Sequence, residues 1–173
     1  AAKVLGGYRN RRRAFRPASV FNISAMSFGS LSKPAVEALN RGCQIAGCLH
    51  NTGEGGISSY HLQGGELIWQ IGTGYFGCRT LDGSFSMDML KERVEQHAQV
   101  KAIEIKLSQG AKPGHGGMLP AAKISPEIAE ARGIPMGIDC VSPAAHSTFS
   151  TPIGLMQFVG QLRDLSGGKP VGF

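Results

Sequence analysis

Short apolar segments alternate with glycine-rich loops and helical patterns along most of this chain of 173 residues. Residues 20–26 and 48–52 are typical of short buried strands, and a helix is predicted between them, from Ser32 to a stop at Gly47. Strands that alternate with helices in this way indicate βα units on a parallel sheet. The sequence therefore predicts an α/β fold in which ligands gather beyond the carboxyl ends of the strands.

The rest of the chain continues this alternation. Residues 62–72 fit either a helix or a loop. A domain seldom ends on the start of an unpaired strand, as this chain does, so we expect it to be a fragment. The further predicted elements are strands at 75–78, 100–107, 139–142 and from 169 onward, and helices at 86–98, 125–132 and 151–165.

Glycine supplies 25 of the 173 residues, which implies many turns or close approaches of backbone to a ligand. Three loops at predicted strand ends hold the polar groups: residues 24–30, 51–56 and 106–120. Glu54 stands among glycines in the second loop. The third places Lys106, Gln109, Lys112 and His115 on a flexible backbone, and such a group suits an anion or an electron-rich ring.

The positive charge of the chain is local. Of its 18 basic residues, six lie within residues 1–17, where there is no acidic residue. The remaining twelve are balanced by twelve acidic residues, so the net charge of +6 belongs to a basic arm, residues 1–18. The run from Arg9 to Arg13 suits phosphates or anionic lipid, but no aromatic-interleaved nucleic-acid motif follows it. We therefore expect no nucleic acid as partner.

Other common sites are absent from the sequence. The glycine-rich loop at 106–120 is neither a phosphate-binding P-loop nor a dinucleotide fingerprint, and the chain has no G-x-S-x-G nucleophile motif and no C-x-x-C pair. Its five histidines lack metal-ligand spacing, so no metal site is expected. The four cysteines are expected to be reduced and buried. No apolar run approaches the ~20 residues that span a bilayer, and no signal peptide begins the chain, so we expect a cytoplasmic protein with no membrane contact.

Three motifs, in order and with consistent spacing, carry a resemblance to a known family: SAMSFGSLS at residues 24–32, NTGEGG at 51–56 and IKLSQGAKPGHGG at 105–117. Together they resemble the FMN-binding synthase domain of glutamate synthase, and most closely its stand-alone FMN-binding glutamate synthase-like proteins. The resemblance covers residues 19–173. It implies a (β/α)8 barrel with parallel strands, of the FMN-dependent oxidoreductase type, of which this chain would hold the amino-terminal half.

The resemblance also implies an activity: reductive amination of 2-oxoglutarate, or of a related keto acid, to L-glutamate through an imine reduced by FMN. An electron-donor protein or reductase subunit would be a partner. An iron–sulfur cluster is expected only in a full-length protein, because this chain lacks the cysteine triplet that would hold it. His115 and Met118 stand where the family usually shows glutamate and glutamine, so the substrate itself stays open.

Residue by residue, the resemblance assigns roles to the matched positions. Glu54 and Lys106 would be catalytic, and Lys106 would approach the N1/O2 edge of the flavin, where a fixed ammonium stabilises the charge of the reduced ring. The cofactor-binding residues would be Ala25, Met26, Ser27, Asn51, Thr52, Lys106 and Gln109, and the substrate-binding residues Glu54, Gly55, Gly56, Lys112 and His115.

Two other interpretations stay open. A barrel enzyme could use the same loops for a phosphorylated substrate without flavin, in which case the full-length protein would be colourless. A non-catalytic module for anions or nucleic acid, led by the basic arm, would instead require DNA binding that falls steeply with salt and is lost on deletion of residues 1–17.

Overall fold

The structure, a computed structural model, describes residues 4–173; Ala1 to Lys3, at the start of the predicted basic arm, lie outside the described residues. The described residues form four helices: α1 (Lys33–Ala46), α2 (Met87–Gln96), α3 (Pro126–Arg132) and α4 (Pro152–Leu165). Residues 4–173 also contain six strands: β1 (Leu49–Asn51), β2 (Glu66–Ile71), β3 (Val100–Ile105), β4 (Met118–Leu119), β5 (Cys140–Val141) and β6 (Val171–Gly172). Short 3-10 turns occupy Gly7–Arg9, Ser59–His61 and Ala121–Lys123.

The main sheet is parallel throughout. Its four strands lie in the order β1-β2-β3-β6, so each later strand joins the same edge of the sheet. Strands β4 and β5 form a separate antiparallel pair. The predicted α/β class with a parallel sheet is confirmed, and the loops that follow β1, β2 and β3 come together at one edge, the carboxyl edge.

The helices begin where the sequence predicts. Ser86 accepts a hydrogen bond from the Met89 amide, Ser125 from that of Ile128, and Thr151 from that of Gly154. Each side chain thereby satisfies one of the amides that the first turn of a helix leaves unpaired. Gly47 and Gly133 end α1 and α3 in the left-handed conformation that glycine adopts without strain.

Alternation along the strands gives the sheet two faces. On one face, Leu67, Trp69 and Ile71 of β2 are buried in a core shared with α2 and α4. On the other face, Gln70 contacts Glu104 of β3, so this face carries polar groups near the carboxyl edge. A smaller core joins the α1 and α3 segments; it contains Phe28, Val36, Phe76, Leu119, Ile124, Ile128, Ala129, Ala131 and Cys140.

The prediction of a buried strand at residues 20–26 is wrong. This segment runs along β1 but makes only one parallel bridge to it, between Ile23 and His50, and Val20 and Phe21 are 73% and 84% exposed. It lies at the edge of the described sheet with a neighbour on one side only. An apolar run therefore does not identify a buried strand where the partner on the other side is missing.

Three further predictions change. The predicted strand at 75–78 is a turn: the Tyr75 amide donates to Gly72 O and the Cys78 amide to Tyr75 O, with Tyr75 at φ 50°. The ambiguous stretch 62–72 contains β2, and the predicted strand 100–107 ends two residues earlier, at Ile105. All four cysteines are free thiols, as predicted, and Cys43, Cys78 and Cys140 are buried. Cys48, just after the end of α1, is only half-buried, which differs from the prediction.

Candidate functional site

A carboxylate, an ammonium and an amide meet at the carboxyl edge of the sheet. Lys106 follows β3 directly, and its Nζ lies 3.2 Å from Glu54 Oε1 and 2.9 Å from Gln109 Oε1. Gln109 Nε2 donates to the same Glu54 oxygen at 2.8 Å. Each of the three side chains therefore contacts the other two. Because the side chains of Glu54 and Lys106 are only 14% and 23% exposed, their charge-assisted bonds are poorly screened by water.

Glycines are required around this cluster because the carboxylate fills the space that a side chain would need. A Cβ at Gly72 would lie 2.7 Å from Glu54 Oε2 and 2.9 Å from Glu54 Cβ. A Cβ at Gly117 would lie 2.8 Å from Glu54 Oε1. The glycine-rich loops of the sequence are thus explained in part by the packing of one carboxylate.

The space beside the cluster is small. Thr73, Ser108, His115 and Pro143 line it together with the three clustered side chains, and the cleft holds about 10 Å³ of free volume. That volume is near the minimum for a single water molecule. The geometry therefore shows a closely packed charge pair, bonded through Glu54 Oε1, at the place where the sequence predicts ligand chemistry.

A buried histidine supports Lys106 through its backbone. His146 Nε2 lies 2.8 Å from Lys106 O, a carbonyl that can only accept, so this nitrogen carries the proton. In a neutral ring Nδ1 is then an acceptor, and the Tyr75 hydroxyl, 3.1 Å away, can donate to it. Burial lowers the pKa of His146, and its bond to Lys106 O opposes that shift only in part. The net lowering of the pKa favours the neutral ring.

Tyr75 holds the histidine in turn. Its hydroxyl oxygen accepts from the amides of Ser147 at 3.0 Å and Thr148 at 3.2 Å. Its positive φ, uncommon outside glycine, is maintained by a ring that is 1% exposed and packs against Phe85 and His146. The turn after β2 thereby positions the end of β3.

Polar side chains also lie on three adjacent strands just before this edge. Glu104 Oε1 accepts from Asn51 Nδ2 at 2.9 Å and from Gln70 Nε2 at 2.6 Å. The carboxylate fixes the orientation of the Gln70 amide, because a flipped amide would place two acceptors together. Gln70 Oε1 is consequently buried with no hydrogen-bond partner within residues 4–173.

The sequence of this chain is similar to those of a known protein family. The family described as "Conserved region in glutamate synthase" matches residues 8–173. The chain belongs to the glutamate synthase family. It is 48% identical over 151 residues to the "Glutamate synthase large subunit-like protein YerD" of Bacillus subtilis, a match covering 86% of this chain and 28% of that protein.

Other members of the glutamate synthase family align over similar lengths. The "Archaeal-type glutamate synthase [NADPH]" of Thermotoga maritima is 37% identical over 86% of this chain and 27% of its own length. A "Glutamate synthase large subunit-like protein" of Rhizobium meliloti is 34% identical over 97% of this chain and 35% of its own length. The chain thus spans about a third or less of these relatives, and the family resemblance stated from the motifs is confirmed.

The three glutamate synthase motifs lie close together in the structure, but not every predicted position reaches the Glu54–Lys106–Gln109 cluster. Met26 N donates to Asn51 O, and Gly53 packs so closely on Ser27 that a Cβ there would lie 2.6 Å from Ser27 N. Thr52 Oγ1 donates to Gly53 O and accepts from the backbone N–H of Gln70. Lys112 is exposed and lies outside this cluster.

The remaining predicted positions pack elsewhere. Ala25 is exposed beside Met26, whose carbonyl accepts from His61 Nε2. Gly55 lies against Phe28 O, and Gly56 against Ala131 O, where a Cβ would come within 2.2 Å. Gly56 is therefore required by the packing of α3, whereas a Cβ at Gly55 would crowd Phe28 O at 3.1 Å.

Sequence reasoning missed three residues near this edge: Tyr75, His146 and Arg132. His146 was considered only as a possible metal ligand, and nothing in the sequence indicated its bond to Lys106 O. Arg132, 5% exposed, stacks on Phe76 at 5.0 Å and has no carboxylate within 4 Å in the described part of the chain. Its helical position alone would suggest a solvated helix end.

Two further observations bear on partners. Across residues 4–173, the structure contains no helix both long and apolar enough to cross a membrane. Over the same residues, no three histidine, cysteine, aspartate or glutamate side chains converge as a metal site would require.

Proposed function

We propose that this chain is part of a flavin-dependent oxidoreductase that forms L-glutamate, or a related amino acid, from its keto acid. The reaction is reductive amination through an imine, with 2-oxoglutarate as the expected substrate. The observation that carries the proposal is the Glu54–Lys106–Gln109 cluster, which fixes an ammonium at the carboxyl edge of a parallel sheet. Family membership supports the same reaction class.

Strand order supports a barrel. The sheet is wound in one direction, with the segment at Ile23 followed by β1, β2, β3 and β6 in chain order. Doubly wound sheets reverse their order at a switch point, whereas a (β/α)8 barrel adds each strand beside the last. We infer that residues 19–173 form the first half of such a barrel, preceded by the basic arm of residues 1–18.

The residues at this edge fit FMN. Gln70 Oε1 is a buried acceptor without a partner, suited to the N3–H of a flavin ring, and Lys106 offers a fixed positive charge for its N1/O2 edge. Ala25, Met26, Ser27, Asn51, Thr52 and Gln109 would complete the cofactor site. Reduced FMN would supply the hydride for imine reduction.

The chain's own residues would hold and orient the substrate. Glu54 holds the Lys106 ammonium in place, and its second carboxylate oxygen has no hydrogen-bond donor among the described side chains. Gly55, Gly56, Lys112 and His115 would border the keto acid. We add Arg132, whose buried guanidinium lies near Gly55 and donates long hydrogen bonds to Phe28 O at 3.4 Å and Cys140 Sγ at 3.9 Å. It has no carboxylate within 4 Å among the described residues, so it suits a substrate carboxylate.

Partners and location follow from the same proposal. The electron donor would be a second protein or a reductase subunit, and an iron–sulfur cluster would require ligands from outside this chain. A cytoplasmic location, expected from the sequence, stays a prediction.

The deciding experiment uses the full-length protein that contains this chain. Its visible spectrum is recorded before and after denaturation, any released chromophore is identified by chromatography, and glutamate formation from 2-oxoglutarate is assayed. Released FMN with glutamate formation is the expected result. A colourless protein that also fails to take up added FMN would contradict the flavin assignment and favour an enzyme acting on a phosphorylated substrate.

A further inference from the structure

A lysine at the opposite edge of the sheet is buried without a partner. Lys169, in the turn between α4 and β6, is 7% exposed. No carboxylate lies within 4 Å of it among residues 4–173. Lysines are rarely this buried unless paired, and the ammonium of Lys169 borders an open cleft instead of a counter-charge. The positive charge of Lys169 is therefore not balanced by a nearby carboxylate among residues 4–173.

Lys169 lines a cleft of about 660 Å³ between the basic arm, α2 and the end of α4. This volume is within the range of sites that bind small organic molecules. Its charged lining comprises four cations, Arg13, Lys91, Lys101 and Lys169, and two carboxylates, Glu95 and Asp164. Val94, Leu165 and Phe15 add an apolar surface.

The positive charges that line this cleft are only partly balanced by its carboxylates. Burial, followed by the positive charges of Arg13 and Lys101, lowers the pKa of Lys169. Lys101 forms an ion pair with Glu66 at 3.5 Å, but both side chains are about a third or more exposed, so the pair neutralises little. Glu95 and Asp164 face the same cleft, yet neither lies within 4 Å of Lys169.

The basic arm is fixed in this position by backbone contacts. Leu5 and Phe15 pair in an antiparallel bridge, and the Arg13 amide donates to Gly168 O at 3.1 Å. Gly168 has a φ of 96°, and a Cβ there would lie 2.8 Å from Arg12 Cβ. The arginine-rich run of the sequence therefore lies beside Lys169. The proposed reaction assigns no role to this run.

We propose that this cleft binds a small organic anion, with a phosphate or carboxylate group against Lys169, Arg13 and Lys101 and an apolar body against Val94 and Leu165. The site is separate from the Glu54–Lys106–Gln109 cluster. Lys101 and Lys106 are at opposite ends of β3, about 17 Å apart at ~3.3 Å per residue. An anion there restores the charge balance that the described residues lack.

The test uses the full-length protein and four probes: phenyl phosphate, inorganic phosphate, benzoate and phenol. Calorimetry should show that phenyl phosphate binds at least tenfold more tightly than inorganic phosphate, and that phenol does not bind. Comparison of phenyl phosphate with benzoate identifies the preferred anionic group. Lys169→Gln should weaken phenyl phosphate binding at least tenfold.

A matched control removes the same charge elsewhere. Lys123→Gln changes an exposed lysine outside the cleft and should leave binding unchanged. Thermal unfolding of unliganded Lys169→Gln should show a midpoint no lower than that of the wild type, which establishes that the variant folds. The proposal is overturned if neither phenyl phosphate nor benzoate binds the wild type, or if folded Lys169→Gln binds as the wild type does.

Discussion

The lysines at the two edges of the parallel sheet differ in their partners. At the carboxyl edge, Lys106 is held by Glu54 and Gln109 in a cleft with about 10 Å³ of free volume. At the amino edge, Lys169 is more buried, has no partner among the described residues and faces a cleft of about 660 Å³. Lysine burial alone therefore does not distinguish a preorganised charge from one that awaits a ligand; the partner does.

The largest expected effect tests the satisfied edge. Lys106→Met keeps most of the aliphatic length but removes the ammonium, so Glu54 loses its cation and the proposed reduced flavin loses its counter-charge. We expect glutamate formation by the full-length protein to fall at least about 100-fold, the usual scale for one electrostatic contact in a reaction site. The flavin potential should fall as well.

The control for this variant is Lys123→Met, an exposed lysine outside both clefts, which should leave activity and potential unchanged. Steady-state kinetics and a redox titration measure the two quantities. An unchanged potential in Lys106→Met would remove Lys106 from the cofactor site.

A second prediction tests how tightly the carboxyl edge is packed. Gly72→Ala places a Cβ within 3 Å of both Glu54 Oε2 and Glu54 Cβ, so the carboxylate must move away from Lys106. Overpacking of this kind costs about 1–3 kcal/mol of unfolding free energy. Gly110→Ala is the matched control, because nothing lies within 4 Å of its Cβ. Denaturant unfolding that shows equal stability for both variants would contradict the closed geometry.

The third prediction concerns the histidine behind Lys106. His146→Gln can still donate to Lys106 O but fits the site less well, and we expect a loss of about 1 kcal/mol at pH 7.5, the usual net value of a hydrogen bond. Since burial lowers the folded-state pKa of His146 below 6.5, the unfolded chain binds more protons there. The contribution of His146 is therefore complete above pH 6.5 and is lost as the pH falls.

The difference in stability between wild type and His146→Gln should accordingly narrow between pH 7.5 and pH 5. Other buried histidines, His50 and His61, also have lowered pKa values, but they are present in both proteins and cancel in the difference. A difference that widens on acidification would show that His146 is not held neutral in the folded protein.

The sequence predicts local structure and individual groups better than it predicts contacts. The caps at Ser86, Ser125 and Thr151 were predictable because helix ends are decided within three or four residues. Glu54 and Lys106 were each predictable from motifs. Their meeting follows from parallel strands that end at one edge.

Other features depend on distant parts of the chain. Tyr75 was predicted within a strand, but its positive φ is maintained by contacts with residues about 70 positions away. The apolar run at residues 20–26 has the composition of a buried strand, yet it is exposed because sheet position, and not composition, decides burial. The neighbours of Lys169 likewise cannot be predicted from the sequence, because segments far apart in the chain pack around it.

The smallest expected effect has the opposite sign to the others and sharpens the contrast between the edges. Lys169→Met removes a buried charge that has no partner among the described residues, and methionine can fill the space of the lysine stem. We expect unliganded full-length protein to gain on the order of 1 kcal/mol of unfolding free energy, because solvation of the ammonium no longer has to be given up. The same substitution at Lys106 should instead lose stability, since Glu54 would stay behind, 14% exposed and without its cation. Denaturant unfolding of the two variants in phosphate-free buffer compares them directly. If both variants lose stability to the same degree, Lys169 is compensated in the full-length protein and the two edges do not differ in charge balance.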